Sequence, residues 1–280
     1  MIVYKHYTRE QLDRQYTNRL HVPDHAEYFE RWEKWSRQTE REYTIVKNIS
    51  FGSHNEECLD IFPAKKSTAK TMVFIHGGYW HLLDKALFHF LASSFLQHNV
   101  TTVLINYPLA PAASLDSILS SCKKVMLWLH DNIIHYNGVP SELYVMGHSA
   151  GGHLAAMLSV EKELNFLKGI ISLSGLFRLE PIMFSYLNDV LHLDIETAER
   201  NSPILFNPAY TCPLLLAAGT DETDEFQAQS TEMYKSWKDK HTGIELLKVP
   251  GKNHYSIVDA AIEKNSPLQA AIFRLMNIAG

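Results

Sequence analysis

The chain has 280 residues, 46% of them hydrophobic, enough for one large α/β domain with a sizeable core. Its formal net charge of −5, with no basic run or stripe, argues against a nucleic-acid partner. Three widely spaced cysteines, Cys58, Cys122 and Cys212, form neither a C-x-x-C pair nor an even framework and read as free thiols of a reducing compartment.

The N-terminus lacks the apolar run of a signal peptide, and no stretch approaches the ~18–20 apolar residues that span a bilayer. A cytoplasmic protein without a membrane partner is therefore expected. Residues 1–43 are rich in charge and aromatics, with apolar residues at helical spacing from Ala26 to Trp35, predicting one or two amphipathic helices packed on the main domain. Runs at 44–49 and 57–62 read as opening strands around a turn at Gly52. From Thr71 the pattern alternates. Short apolar runs at 71–76, 101–106, 143–147, 167–174, 213–219 and 244–249 read as buried strands, and 87–97, 115–130, 151–158, 225–240 and 267–277 as helices. This rhythm predicts a single α/β domain over 1–280, a mostly parallel central sheet with helices on both faces. Residues 176–210, with Pro181, Pro203 and Pro208, break the rhythm and read as a small lid insertion over one end of the sheet.

Several strand ends carry residues suited to acyl-transfer chemistry. The run at 71–76 closes on His76-Gly77-Gly78-Tyr79-Trp80, where glycines let backbone N–H groups approach a substrate carbonyl. The N–H groups of Gly78 and Tyr79 are the expected oxyanion donors. The run at 143–147 enters Gly147-His148-Ser149-Ala150-Gly151, followed by a small-residue helix. That setting suits a nucleophile on a strained turn: Ser149 is the expected nucleophile and Ala150 N–H the third oxyanion donor. A bland Gly-Ser turn is the alternative, disfavoured by the matched glycine loop upstream. The acid should follow the next late strand and the histidine the last one. Three residues past Gly219 stands Glu222, with Asp221 the runner-up, while Asp224 and Glu225 suit the start of a helix. His254 follows the run at 244–249 and is the expected base. The histidines near these motifs show no metal-ligand spacing, and no nucleotide-binding glycine loop is present, so neither metal nor cofactor is expected.

These residues resemble the kynurenine formamidase (arylformamidase-like) group of the α/β-hydrolase superfamily over most of the chain. Tyr7-Thr8-Arg9-Glu10-Gln11-Leu12-Asp13-Arg14-Gln15-Tyr16 with Val22-Pro23-Asp24, His76-Gly77-Gly78-Tyr79-Trp80, Asn106-Tyr107-Pro108-Leu109-Ala110-Pro111, and Glu222-Thr223-Asp224-Glu225-Phe226 with Gln229-Ser230 carry the likeness. The last segment supports Glu222 over Asp221. Arg178 departs from the aspartate expected in many relatives, which bears on substrate choice and not on the triad. The resemblance implies an α/β-hydrolase fold and hydrolysis of an N-formyl aryl amide such as N-formylkynurenine, with Trp80, Phe177, Tyr186 and Tyr255 as candidate pocket aromatics. The partner expected is a small-molecule aryl amide or ester; a homodimer is an assembly that the sequence leaves open. Competing readings are a broad carboxylesterase using the same residues and a non-catalytic ligand-binding version of the fold.

Overall fold

The computed structural model describes residues 1–278. The chain opens on a small antiparallel ribbon, β1 (Ile2–Tyr4) and β2 (Tyr7–Thr8), too short to announce itself in the sequence. Helices α1 (Arg9–Tyr16), α2 (Asn18–His21) and α3 (His25–Glu42) follow. A capping box starts α1: Thr8 Oγ1 accepts from the Gln11 N–H at 3.3 Å, and Gln11 Oε1 accepts from the Thr8 N–H at 2.8 Å. Trp32 of α3 is 1% exposed and its indole N–H donates to Asp259 at 2.5 Å. Burying such a side chain stabilises by roughly 1.5–3 kcal/mol, so this one residue does much to fix α3 on the domain.

The main body runs β3 (Val46–Ser50), β4 (Cys58–Phe62), β5 (Ala69–Ile75), α4 (Leu91–Gln97), β6 (Val100–Ile105) and α5 (Leu115–Asn132). It continues with β7 (Gly138–His148), α6 (Ala150–Leu158), β8 (Leu167–Leu173), and the inserted helices α7 (Glu180–Met183), α8 (Asn188–Leu191) and α9 (Ile195–Arg200). Then come β9 (Leu214–Gly219), α10 (Asp224–Trp237), β10 (Ile244–Val249), α11 (Ser256–Ala260) and α12 (Pro267–Leu275). The helix expected over 87–97 is divided. A 3-10 turn at Lys85–Phe88 precedes α4, because Asp84 Oδ1 caps the Ala86 N–H at 2.7 Å and Asn106 Oδ1 takes the Lys85 N–H at 2.8 Å.

Eight strands form one sheet in the order β10-β9-β8-β7-β5-β6-β4-β3. All neighbours are parallel except β3 with β4 and β4 with β6. The mostly parallel sheet expected from the sequence is the one observed. Its central strands read as continuous apolar runs because both faces are covered. Val73 and Ile75 of β5 enter one core with α5, α6 and α10, while Met72 and Phe74 enter the other with α3, α4 and α12. Adjacent strands β5 and β7 thus send their chains to opposite faces, toward α4 and α6 respectively. That divergence opens a crevice at their carboxyl ends, the usual ligand position in an open α/β sheet.

Candidate active site

Ser149 occupies the turn between β7 and α6 with φ 56° and ψ −118°. A non-glycine residue in such a conformation stores on the order of 1–3 kcal/mol, compensated by the packing around it. The flanking glycines make the turn possible. A Cβ on Gly147 would lie 2.0 Å from the Gly151 carbonyl oxygen, and one on Gly151 would lie 2.0 Å from that of Ile75. The Ser149 N–H donates to the Leu173 carbonyl at 2.8 Å, which fixes the turn on β8.

His254 and Glu222 reach Ser149 from the loops after β10 and β9. His254 Nε2 lies 3.1 Å from Ser149 Oγ, and its Nδ1 lies 2.8 Å from Glu222 Oε2. The second Glu222 oxygen accepts from Ser174 Oγ at 2.6 Å and from the Gly219 N–H at 2.7 Å. Phe226 and His148 pack on the His254 ring, with centroids at 4.3 and 4.8 Å. All three side chains are buried, so charge developed on the imidazole is held by Glu222 with little solvent screening. The structure turns Glu222 toward His254 and leaves Asp221 exposed, bonded to Thr220 Oγ1 at 3.1 Å. Ser174, which orients the carboxylate, went unnoticed in the sequence; its signal is a Ser-Gly at the carboxyl end of the strand between nucleophile and acid.

The glycine loop after β5 stands beside Ser149. Gly78, Tyr79 and Trp80 all have positive φ, at 102°, 49° and 60°. A Cβ on Gly78 would strike the Leu82 carbonyl at 2.3 Å, whereas that position is open to glycine. The Gly78 carbonyl turns away to accept from the His81 and Leu82 N–H groups. The N–H groups of Gly78, Tyr79 and Ala150 take no acceptor among the described residues, and Gly78 and Tyr79 share a cavity with Ser149. Such unpaired donors at a helix start and a glycine turn can receive a negatively charged oxygen. His76 helps to hold this loop. It stacks on Tyr107 at 4.5 Å, its Nδ1 is 2.8 Å from the Gly77 carbonyl, and burial lowers its pKa to about 4.

His148 Nε2 lies 2.8 Å from the His254 carbonyl, so that nitrogen donates and Nδ1 carries the lone pair. Burial, reinforced by the neighbouring His254, holds His148 well below the usual imidazole range. Its ring is a neutral brace behind the catalytic-type histidine. Among the described residues there is no group of His, Cys, Asp and Glu side chains arranged to hold a metal ion.

The cavity containing Ser149 and His254 measures about 350 Å³. Tyr186 and Tyr255 line it. Trp80 and Phe177 do not, which corrects their assignment as pocket residues. The positive φ values at Tyr79 and Trp80 swing the indole inward, where its N–H donates to His153 Nδ1 at 3.1 Å. Phe177, at the start of the insertion, is fully buried, its backbone N–H donating to Gln229 Oε1 at 2.7 Å. Arg178 also lies outside the cavity, 3.8 Å from Glu232. In their place the N-terminal segment supplies Thr17, Asn18, Arg19, Phe29 and Trp32. Tyr79 ties that segment down, donating to the Tyr16 carbonyl at 2.6 Å and accepting from Asn18 Nδ2 at 3.2 Å. The insertion joins it through the Tyr186 N–H, which donates to Asp13 at 2.7 Å.

Comparison with known proteins gives consistent relatives. Residues 59–174 match the BD-FAE family model. A kynurenine formamidase of Danio rerio is 28% identical over 253 residues, covering 85% of each chain. An isoprenylcysteine alpha-carbonyl methylesterase of Arabidopsis thaliana is 26% identical over 127 residues, covering 45% of this chain and 30% of that protein. A solved structure described as a candidate thioesterase, from Silicibacter sp., superposes with a TM-score of 0.83 at 22% identity, covering 94% of this chain and 98% of the other. That sheet and nucleophile-type turn, with these relatives, make the chain a serine hydrolase with the α/β-hydrolase fold, homologous to the kynurenine formamidases.

Proposed function

We propose that the protein hydrolyses an N-formyl aryl amide, N-formylkynurenine foremost, through a formyl-enzyme on Ser149. The observation that carries this reading is the hydrogen-bonded chain Ser149–His254–Glu222 opening into an aromatic-lined cavity of about 350 Å³. The formyl carbonyl sits against the N–H groups of Gly78, Tyr79 and Ala150, each worth on the order of 3 kcal/mol to the developing oxyanion. His254 takes the Ser149 proton as the oxygen attacks, and Glu222 stabilises the imidazolium and fixes its tautomer. His254 then protonates the departing arylamine nitrogen, and the C–N bond breaks. Water, deprotonated by the same imidazole, attacks the formyl ester; formate leaves and Ser149 recovers its proton. Tyr186 and Tyr255 flank the aryl group, and the insertion over 176–210 and the N-terminal helices cover it. Three unpaired cysteines suit a reducing compartment, so we place the enzyme in the cytoplasm.

Ester hydrolysis by the same residues is the second reading, favoured by the Arabidopsis methylesterase relative. An ester has the better leaving group, so protonation by His254 matters less to it. Turnover of N-formylkynurenine beside p-nitrophenyl acetate separates the two readings. Efficient release of formate supports the formamidase; ester cleavage with an inert formamide replaces it by the esterase.

A further inference from the structure

The cavity around Ser149 has a lopsided charge. Among the described residues, Arg19 is its one lining residue with a permanent charge, and no Asp or Glu lines it. Neighbouring arginines on the N-terminal segment are paired, Arg9 with Asp189 at 3.1 Å and Arg14 with Glu10 at 2.9 Å. Arg19 forms no ion pair among the described residues. Its position is not accidental to the loop around it. Asn18, the preceding residue, is buried and donates to the hydroxyl of Tyr79, so the oxyanion loop itself holds the start of α2 over the cavity. The Arg19 guanidinium lies close enough to Tyr255 to offset, by charge and by hydrogen bonding, part of the burial that pushes that phenol up to about 12. It acts in the same sense on Tyr186. One exposed guanidinium without an ion-pair partner among the described residues therefore lines the same cavity as the two tyrosines.

We infer that Arg19 is a specificity determinant that takes a carboxylate on the leaving group, so the substrates this site prefers are aryl amides or esters bearing an anion beyond the ring. A guanidinium matches a carboxylate with two parallel hydrogen bonds. The absence of any acidic lining residue leaves no internal competitor for the contact. A cavity of about 350 Å³, near the lower end of the usual 300–1,000 Å³, suits one aromatic ring with a short anionic arm. This inference rests on the proposed reading for the scissile end of the substrate, but concerns the opposite end.

The test uses two matched pairs: N-formylkynurenine against its primary amide, and 3-(4-acetoxyphenyl)propanoate against its primary amide. In each pair the carboxylate is replaced by a neutral group of the same shape. For the wild-type protein kcat/KM favours the carboxylate of each pair, and Arg19→Gln lowers that ratio about ten- to fiftyfold, mainly through KM. Arg19→Lys restores part of the ratio, and added salt narrows the wild-type ratio. A uniform loss on both members of a pair, or no change in the ratio, overturns the inference. Inert formamides with active esters would remove the formamidase reading while the ester pair still decides Arg19. Calorimetry with kynurenine reads the contact without turnover; equal affinities for wild type and Arg19→Gln also overturn it.

Discussion

Ser149, Glu222 and His254 stand one, three and five residues past the ends of β7, β9 and β10. Phe29, Trp32 and Arg19 share the same cavity, yet they come from helices near the N-terminus that follow no strand of the main sheet. The first group is positioned by backbone that the parallel ladder already holds in register, so a few residues of loop suffice. The second is positioned by side-chain tethers between distant segments, such as Tyr79 to Tyr16 and Tyr186 to Asp13. In the function proposed, reactivity thus belongs to the carboxyl ends of the strands, and selectivity to a cover assembled across them. A scaffold divided this way can change its substrate without touching its chemistry.

The largest effect expected of this division is at the nucleophile. Ser149→Ala should lower kcat by a factor on the order of 10^4 to 10^6 and abolish labelling by a fluorophosphonate, while thermal unfolding stays close to wild type. Alanine tolerates the turn about as well as serine does, and only one hydrogen bond is lost. Labelling retained on the variant would show that another residue is the nucleophile.

Next in size is the carboxylate. Glu222→Ala leaves His254 Nδ1 without its partner and should cost on the order of 10^3 to 10^4 in kcat. Asp221→Ala, changing an exposed residue with a local bond to Thr220, should stay within about threefold. Steady-state kinetics on the two variants decide the matter, and a reversed ranking would mean that the loop after β9 rearranges on substrate binding.

The same contrast explains what could be read without coordinates. Strands β5 to β10 were legible because two covered faces leave apolar runs that end at glycine, proline or a polar residue. Ser149, Glu222 and His254 could be picked out as candidates by counting from those ends. The lining from the N-terminal helices was not, because Arg19 or Phe29 becomes a lining residue only when helices from the start of the chain are laid across strand ends some distance away in sequence. Trp80 and Phe177 misled for a related reason. Both are aromatics adjacent to motifs, but backbone turns of positive φ at Tyr79 and Trp80, and a Phe177 backbone anchored on Gln229, direct them into the core. Helices α7, α8 and α9, of four to six residues, carry too little periodicity to be separated in the sequence.

Where strand ends and cover are bonded to each other, acid should act as the wedge. His153 of α6 is fully buried; its Nδ1 accepts from the Trp80 indole, and its Nε2–H donates to the Asn201 carbonyl of the insertion at 2.7 Å. Burial lowers its pKa to about 4, the hydrogen bond to Asn201 offsetting only part of that. An unfolded histidine titrates near 6.5, so between pH 6.5 and 4 the unfolded chain holds a proton that the native ring refuses. The stabilisation is therefore complete above pH 6.5 and is lost as pH falls through that window, by roughly 3 kcal/mol at its lower end. His76 adds a loss of the same sign. In urea melts, His153→Gln should be less stable than wild type at pH 7.5, yet lose less on going to pH 4.5, because glutamine has no proton to gain. Parallel acid losses in the two proteins would place the acid sensitivity elsewhere and leave the seam at Asn201 as a neutral contact.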